Sequence, residues 1–361
     1  MSQQETIINQ LLAQNKAFAL FLKPQSDIPE LIIGKTIGLD AALSMGSKCF
    51  AFAPFQENKQ WESKAIVAED NCVGWDDIEQ FSKQLKTEID FLNSGEYNSL
   101  VEKGEYIQLL EKTVETLDEH DFRKVIISRP VIAQIDGKRD AGKLFVQLVK
   151  MVKSAFRYIV FIPKIGVWMG ATPELLLNLQ NGIGKTISLA GTLPVDSSTN
   201  WSEKELEEQQ IVTDYIQMAL ENAGASAITQ SERHAVVAGT VQHLRTNFSF
   251  EINKQCTLKS LIKQLHPTPA IGGLPRNKAI DFINENELYD REYYAGFLGK
   301  IDSENSAELY VNLRCMKLLA HQAVIYVGGG ITAQSNPEKE WEETQLKALT
   351  LLQVIKQVNQ Q

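Results

Sequence analysis

From residue 122 to the C-terminus, strand-like runs follow one another with few helices between them: KVIISRPVIAQI, RYIVFIP, KTISLAGTLP, HAVVAGTVQHLRTNFSFEI and AELYVNLRCMKLLAHQAVIYVGGG. Helical spacing of apolar residues is confined there to 140–155, 202–223, 257–265, 277–285 and 337–357. Strands that succeed strands directly pair antiparallel, because a parallel neighbour needs a long crossover. The order therefore predicts an α+β fold built on large antiparallel sheets, not a doubly wound parallel one. The first 70 residues add a short opening helix and strands at FALFL, LIIGKTI, KCFAFAPF and KAIVA. Over 76–120 the apolar residues Ile78, Phe81, Leu85 and Ile89, then Val101, Ile107, Leu110, Val114 and Leu117, recur with helical spacing. That stretch is the natural seam between residues 1–100, expected to complete the sheets, and residues 101–361, the two forming one compact domain.

The chain has 361 residues, 43% of them apolar, enough to bury a sizeable core. A net charge of -9, with no Lys/Arg cluster interleaved with aromatics, argues against nucleic acid or an anionic membrane surface as partner. An anionic ligand must therefore find local cations. The longest apolar runs, AFALFL and YIVFI, fall far short of the ~18 residues a spanning helix needs. Gln3, Gln4 and Glu5 stand where a signal peptide is basic, which points to a cytoplasmic protein. Cys49, Cys72, Cys256 and Cys315 show neither CxxC nor Cys/His metal spacing and read as free thiols. The stretch VGGGITAQS follows a strand but lacks GxGxxG and GxxxxGK[ST], so a nucleotide fold is not expected.

The segment PEKEWEETQLK, residues 337–347, places Glu338, Glu340, Glu342 and Glu343 on two helical turns, where like charges repel. One reading is local. Pro337 suits the first helical position, acids in the first turn complement the helix dipole, and Glu343 with Lys347 forms an i,i+4 pair. The other reading is chemical. Glu340 and Glu343 share a face with Lys347 one turn on, and two carboxylates beside a glycine turn suit a hard cation such as Mg²⁺ holding an anionic substrate. A third carboxylate is available in SEKELEEQQIVTD, residues 202–214, where Ser202 and Glu205 form a capping box that leaves Glu207 and Glu208 unused.

Across residues 120–357 the sequence resembles the chorismate-binding enzymes, which include isochorismate, salicylate, anthranilate and aminodeoxychorismate synthases. FRKVIISR, GATPELLL, LAGTLP, KELEEQQIVTD, TVQHLRT, LHPTPAIGGLPR, DREYYAGFLG, ELYVNLRCMK and VGGGITAQSNPEKEWEETQLKAL carry the resemblance, in the family's order. The first hundred residues carry no such motif. The resemblance implies two packed antiparallel sheets ringed by helices, a site in the cleft between them, chorismate as substrate and Mg²⁺ as cofactor. Residue by residue, it implies that Glu208, Glu340 and Glu343 hold Mg²⁺, which neutralises their repulsion and binds the ring carboxylate. It implies Arg314 and Tyr294 at the enolpyruvyl carboxylate, backbone N–H groups of Gly328 and Gly330 near an anion, Lys347 completing the anion site, and His243, Ala270 and Ile271 beside the ring. It makes Lys124 the general base and Glu174 the general acid, because water attacks C2 while the C4 hydroxyl leaves. A carboxyl acting as acid needs its pKa raised, so Glu174 is expected away from the cations and against apolar neighbours such as Leu175 to Leu177.

Within the family, Ala190 stands where covalent aminodeoxychorismate synthases carry a lysine, and LFLKPQSD replaces the LLES of tryptophan-regulated anthranilate synthases. HPTPAIGG, with Ala270 and bulky Ile271, resembles the members that stop at isochorismate and do not eliminate pyruvate. The expectation is a monomeric isochorismate synthase serving menaquinone or catecholate siderophore synthesis. The alternatives are a salicylate synthase, an anthranilate synthase component and a non-catalytic chorismate-binding regulator; against the last, every named catalytic and metal residue is present. Three positions depart from the common pattern: Gln209 for histidine, Glu292 for glycine and Gly329 for alanine.

Overall fold

The computed structural model describes residues 2–85, 96–99, 101–119, 122–195, 200–238 and 241–360. The N-terminal part holds α1 (Gln3–Leu12), β1 (Phe18–Leu22), β2 (Pro29–Gly38), α2 (Leu39–Ser44), β3 (Cys49–Ala53), β4 (Lys64–Val73), α3 (Trp75–Ser82) and α4 (Lys103–Glu119). The middle follows with β5 (Lys124–Gln134), α5 (Gly137–Met151), β6 (Phe156–Ile162), β7 (Gly166–Thr172), β8 (Leu175–Gln180), β9 (Ile183–Pro194), α6 (Glu203–Asn222), β10 (Ser226–Gln230), β11 (His234–Ala238) and β12 (Val241–Glu251). The chain ends with α7 (Leu258–Leu265), β13 (Gly273–Leu274), α8 (Arg276–Asn286), β14 (Phe297–Ser303), β15 (Ser306–Val311), β16 (Cys315–Leu318), β17 (Gln322–Ile331) and α9 (Pro337–Asn359). Among the described residues no helix is long and apolar enough to cross a membrane.

The strand pairings are antiparallel throughout. One layer runs β13–β5–β17–β16–β7–β6 and the other β3–β14–β15–β8–β9–β12. They are joined edge to edge through β1, β2 and β4, so the two layers are one continuous hydrogen-bonded ribbon folded over. The N-terminal strands thus supply the link between layers.

Period-two burial builds two cores from the same strands. Trp168, Val324 and Tyr326 face inward with Phe50, Phe52, Leu177 and Leu309 of the other layer. Their neighbours Val167, Met169, Ile325 and Val327 face outward, where α1, α5 and α9 cover them with Ile8, Leu11, Phe145, Leu148, Leu351 and Val354. The ring of Phe52 stacks 4.4 Å from Tyr293 and meets Trp168 edge-on at 6.2 Å, tying layer to layer. All five residues of β1 are buried, as expected of a strand covered on both faces.

The helix expected over 76–120 resolves into α3 and α4; Ile89 lies outside the described residues. The single run AELYVNLRCMKLLAHQAVIYVGGG is three strands, and Arg314 sits in the turn between β15 and β16 with φ of 48°, not in a strand. The left-handed conformation at a non-glycine residue marks a position held by its surroundings. Replacing Phe52, fully buried between the layers, by Ala is expected to cost about 3–5 kcal/mol, read as a lower urea midpoint. An unchanged midpoint contradicts a core shared by both layers.

Candidate active site

Three elements converge where β17 ends. β17 and β5 pair through Gly328 opposite Ser128 and Gly330 opposite Ile126, which sets Lys124 at the head of β5 beside the glycines. After β17 the chain turns into α9, capped by the Asn336 side chain accepting from the Lys339 N–H, with Pro337 in its first turn. α6 starts at the Ser202/Glu205 capping box and brings Glu208 in from the other side. The glycines are dictated by close approach. A Cβ on Gly330 would lie 2.4 Å from Glu208 Oε1 and 2.9 Å from Lys124 Cε, and one on Gly329 would lie 3.2 Å from Glu340 Oε2. Alanine at 329 is therefore tight, and glycine gives Glu340 room.

Each of the three glutamates faces a different lysine. Lys347 Nζ donates to Glu343 Oε1 at 2.6 Å and to the Gly328 carbonyl at 2.9 Å. Lys124, fully buried, places Nζ 3.0 Å from Glu208 Oε1 but out of line for a hydrogen bond, so its ammonium has an ion-pair partner and no hydrogen-bond acceptor. Lys204 Nζ donates to Glu340 Oε1. Glu340 is 2% exposed, and its second oxygen has no partner. Burial pushes the Glu340 carboxyl up to about 7; repulsion from Glu343 and Glu208 adds to this and Lys204 opposes it. Burial works against the charge of Lys204, yet Glu340, Glu208 and Glu343 outweigh it and hold the lysine protonated.

Among the described residues no three carboxylates or other ligating side chains are gathered closely enough to grip an ion as they stand. The donor set nevertheless fits a hard divalent cation: three carboxylates, one with a buried orphan oxygen, repelling one another across a glycine-lined gap.

Beside the glutamates opens a cleft of about 80 Å³, lined by Glu174, Glu208, His243, Ala270, Ile271, Tyr294, Arg314, Gly328, Gly330 and Lys347. Lys124, Glu340 and Glu343 stand just behind the glycine strand. Glu174 is 6% exposed, and burial raises its carboxyl to about 7. Leu176 and Leu177 beyond it are buried in the core. The expectation that it lies away from cations is corrected: Lys124, Lys347 and Arg314 all act to lower its pKa, and burial outweighs them.

His243 is buried and its pKa is lowered to about 3, by burial first and then by Arg314 and Lys347, so the ring is neutral. Its Nδ1 lies 2.9 Å from the Gly191 carbonyl and 3.2 Å separates Nε2 from Arg314 Nη2. The geometry fixes the tautomer: Nδ1–H donates to Gly191, and Nε2 accepts from Arg314. His243 thereby aims the guanidinium, which among the described residues meets no carboxylate at ion-pair distance. Tyr294 lines the same wall, its ring stacked 5.4 Å from that of Tyr326. Ile271 is held by Arg291, which donates to the Ile271 and Ile126 carbonyls while paired with Glu287.

Lys204, the His243–Arg314 contact and the Glu287–Arg291 clamp were not read from the sequence. The first had a signal, since Lys204 lies one turn before Glu208 on α6; the others depend on contacts between distant segments. The departures from the family pattern are also explained. The Gln209 amide donates to the hydroxyls of Ser188, Thr213 and Thr246, packing α6 onto β9 and β12. Glu292 keeps the positive φ, 49°, that a glycine takes freely, and its carboxylate pairs with Lys317.

Residues 46–356 match the chorismate binding enzyme family. Isochorismate synthase EntC of Escherichia coli (strain K12) is 31% identical over 293 residues, covering 76% of this chain and 75% of that protein. Isochorismate synthase MenF of Bacillus subtilis (strain 168) is 28% identical over 270 residues, 71% of this chain and 56% of that one. Among solved structures, the menaquinone-specific isochorismate synthase MenF from Escherichia coli superposes with a TM-score of 0.81 at 20% identity, over 96% of this chain and 91% of that one. Anthranilate synthase component I from Streptococcus pneumoniae gives 0.69 at 18% identity, over 94% and 91%.

The raised pKa of Glu174 has a signature in stability. Between pH 4.5, the ordinary carboxyl value, and about 7, the unfolded chain ionises at this position while the folded chain does not, so stability falls as pH rises through that window. Glu174→Gln removes the effect. The variant is expected to gain on the wild type by roughly 1–3 kcal/mol between pH 4.5 and 7 and to keep the gain above it. Parallel stability curves from denaturant titrations across this range contradict the assignment.

Proposed function

Since the chain belongs to the chorismate-binding enzyme family, we propose that it is an isochorismate synthase, moving the hydroxyl of chorismate from C4 to C2 with Mg²⁺ as cofactor. The observation that carries this reading is Glu174, a buried carboxyl with a pKa of about 7 in the same cleft as Arg314 and Lys347. A carboxyl of that kind is available as an acid near neutral pH. Glu174 gives its proton to the C4 hydroxyl, which leaves as water, while Lys124 is the base that takes a proton from the water that attacks C2. One C–O bond forms and one breaks, and the ring double bonds shift. No redox partner is needed.

The two carboxylates of chorismate require positive charge at two places. Arg314, aimed by His243, and Tyr294 hold the enolpyruvyl carboxylate, with Lys347 nearby. Glu208, Glu340 and Glu343 are the residues to hold Mg²⁺. When bound, the ion supplies the charge that neutralises these glutamates and the ring carboxylate. Ile271, 1% exposed and clamped by Arg291, presents a rigid aliphatic wall to the ring, which supports release at isochorismate. The same reading has the enzyme act as a monomer in the cytoplasm.

Incubation with chorismate and Mg²⁺, followed by chromatography of the products, is expected to give isochorismate without pyruvate. Lys124→Ala and Glu174→Gln should each lower the rate roughly 10²–10⁴-fold, and chelation should abolish it. Salicylate with pyruvate identifies a salicylate synthase, and chorismate binding without turnover identifies a regulator. Removing the guanidinium in Arg314→Ala is expected to weaken substrate binding by roughly 10- to 100-fold, read in KM.

A further inference from the structure

Lys204 stands in the first turn of α6, next to the helix's positive end, where a cation is unfavourable. The first turn is already satisfied by the Ser202/Glu205 box, so helix formation gives no reason for a lysine here. Its side chain instead crosses to α9, hydrogen-bonds Glu340 Oε1, and lies within electrostatic reach of Glu208 and Glu343 as well. Glu340 is buried, with one oxygen held by this ammonium and the other unpartnered.

We propose that Lys204 is a tethered counter-ion that takes the metal's position among Glu208, Glu340 and Glu343 and competes with Mg²⁺ for it. The proposal rests on the metal-site reading above. A single ammonium can neutralise part of the charge of three carboxylates but cannot draw all of them in, which accounts for their not being gathered into a ready ligand set. The lysine stem is long and flexible, and its side chain is 20% exposed, so it can leave when a dication arrives. Two cations cannot share the Glu340 carboxylate without strong repulsion. Lys204 is therefore a positioning residue: it keeps the glutamates facing one another and sets the Mg²⁺ concentration at which the site fills.

The test is calorimetric titration of Mg²⁺ into the substrate-free protein, with Lys204→Met and Lys204→Gln beside the wild type. Both variants are expected to bind Mg²⁺ about tenfold more tightly, and to melt at lower temperature in chelator but not at saturating Mg²⁺. In the wild type, Mg²⁺ should increase acylation of Lys204 by an amine-reactive reagent, followed by mass spectrometry, while the exposed Lys103 stays unchanged. Glu340→Gln separates the two ideas. If it abolishes Mg²⁺ binding while the Lys204 variants bind no more tightly than wild type, competition is overturned and the metal site stands. If it leaves Mg²⁺ binding intact, the metal site falls and the proposal with it. Lys204 labelling that ignores Mg²⁺ also overturns the competition.

Discussion

Three partly or fully buried glutamates face one another across a strand of glycines, and each is held by its own lysine. Unpaired carboxylates this close and this dry are costly, so the site exists only because cations reach each of them. The pairs also fasten three elements together: Lys124 ties β5 to α6, Lys204 ties α6 to α9, and Lys347 ties α9 back to the β17 backbone. The geometry of the cleft follows from this fastening.

The ribbon makes that arrangement possible. Folding one continuous antiparallel sheet over a shared aromatic core leaves an opening beside the ends of β5, β9, β12 and β17, and helices α6 and α9 close on it from outside. Charge is then sorted by position. Acids from the helices gather on one side, while Arg314 and neutral His243 occupy the other. Glu174 lies where burial outweighs the pull of three cations and raises its carboxyl to about 7.

Much of this was legible in the chain. The strand-after-strand order gave the antiparallel α+β class, because it needs only local pattern, and the helix spans at α6, α7, α8 and α9 came within a few residues for the same reason. The glutamate run of α9 raised the metal question on its own, and the family motifs named its partners. What stayed hidden depends on segments far apart in sequence. The joining of the layers through β1, β2 and β4 is a matter of edge pairing, to which side-chain alternation is blind. Arg314 reads as part of a strand until the left-handed turn at that position is seen, and the balance that raises the Glu174 pKa sets burial against three cations from distant segments.

The most direct measurement is a crystal structure of the Glu174→Gln protein with Mg²⁺ and chorismate bound. Mg²⁺ should lie among Glu208, Glu340 and Glu343 against the ring carboxylate, with Arg314 on the enolpyruvyl carboxylate and Lys204 Nζ withdrawn from Glu340. A metal bound elsewhere, or chorismate seated with Lys204 still on Glu340 and no ion between the glutamates, contradicts it.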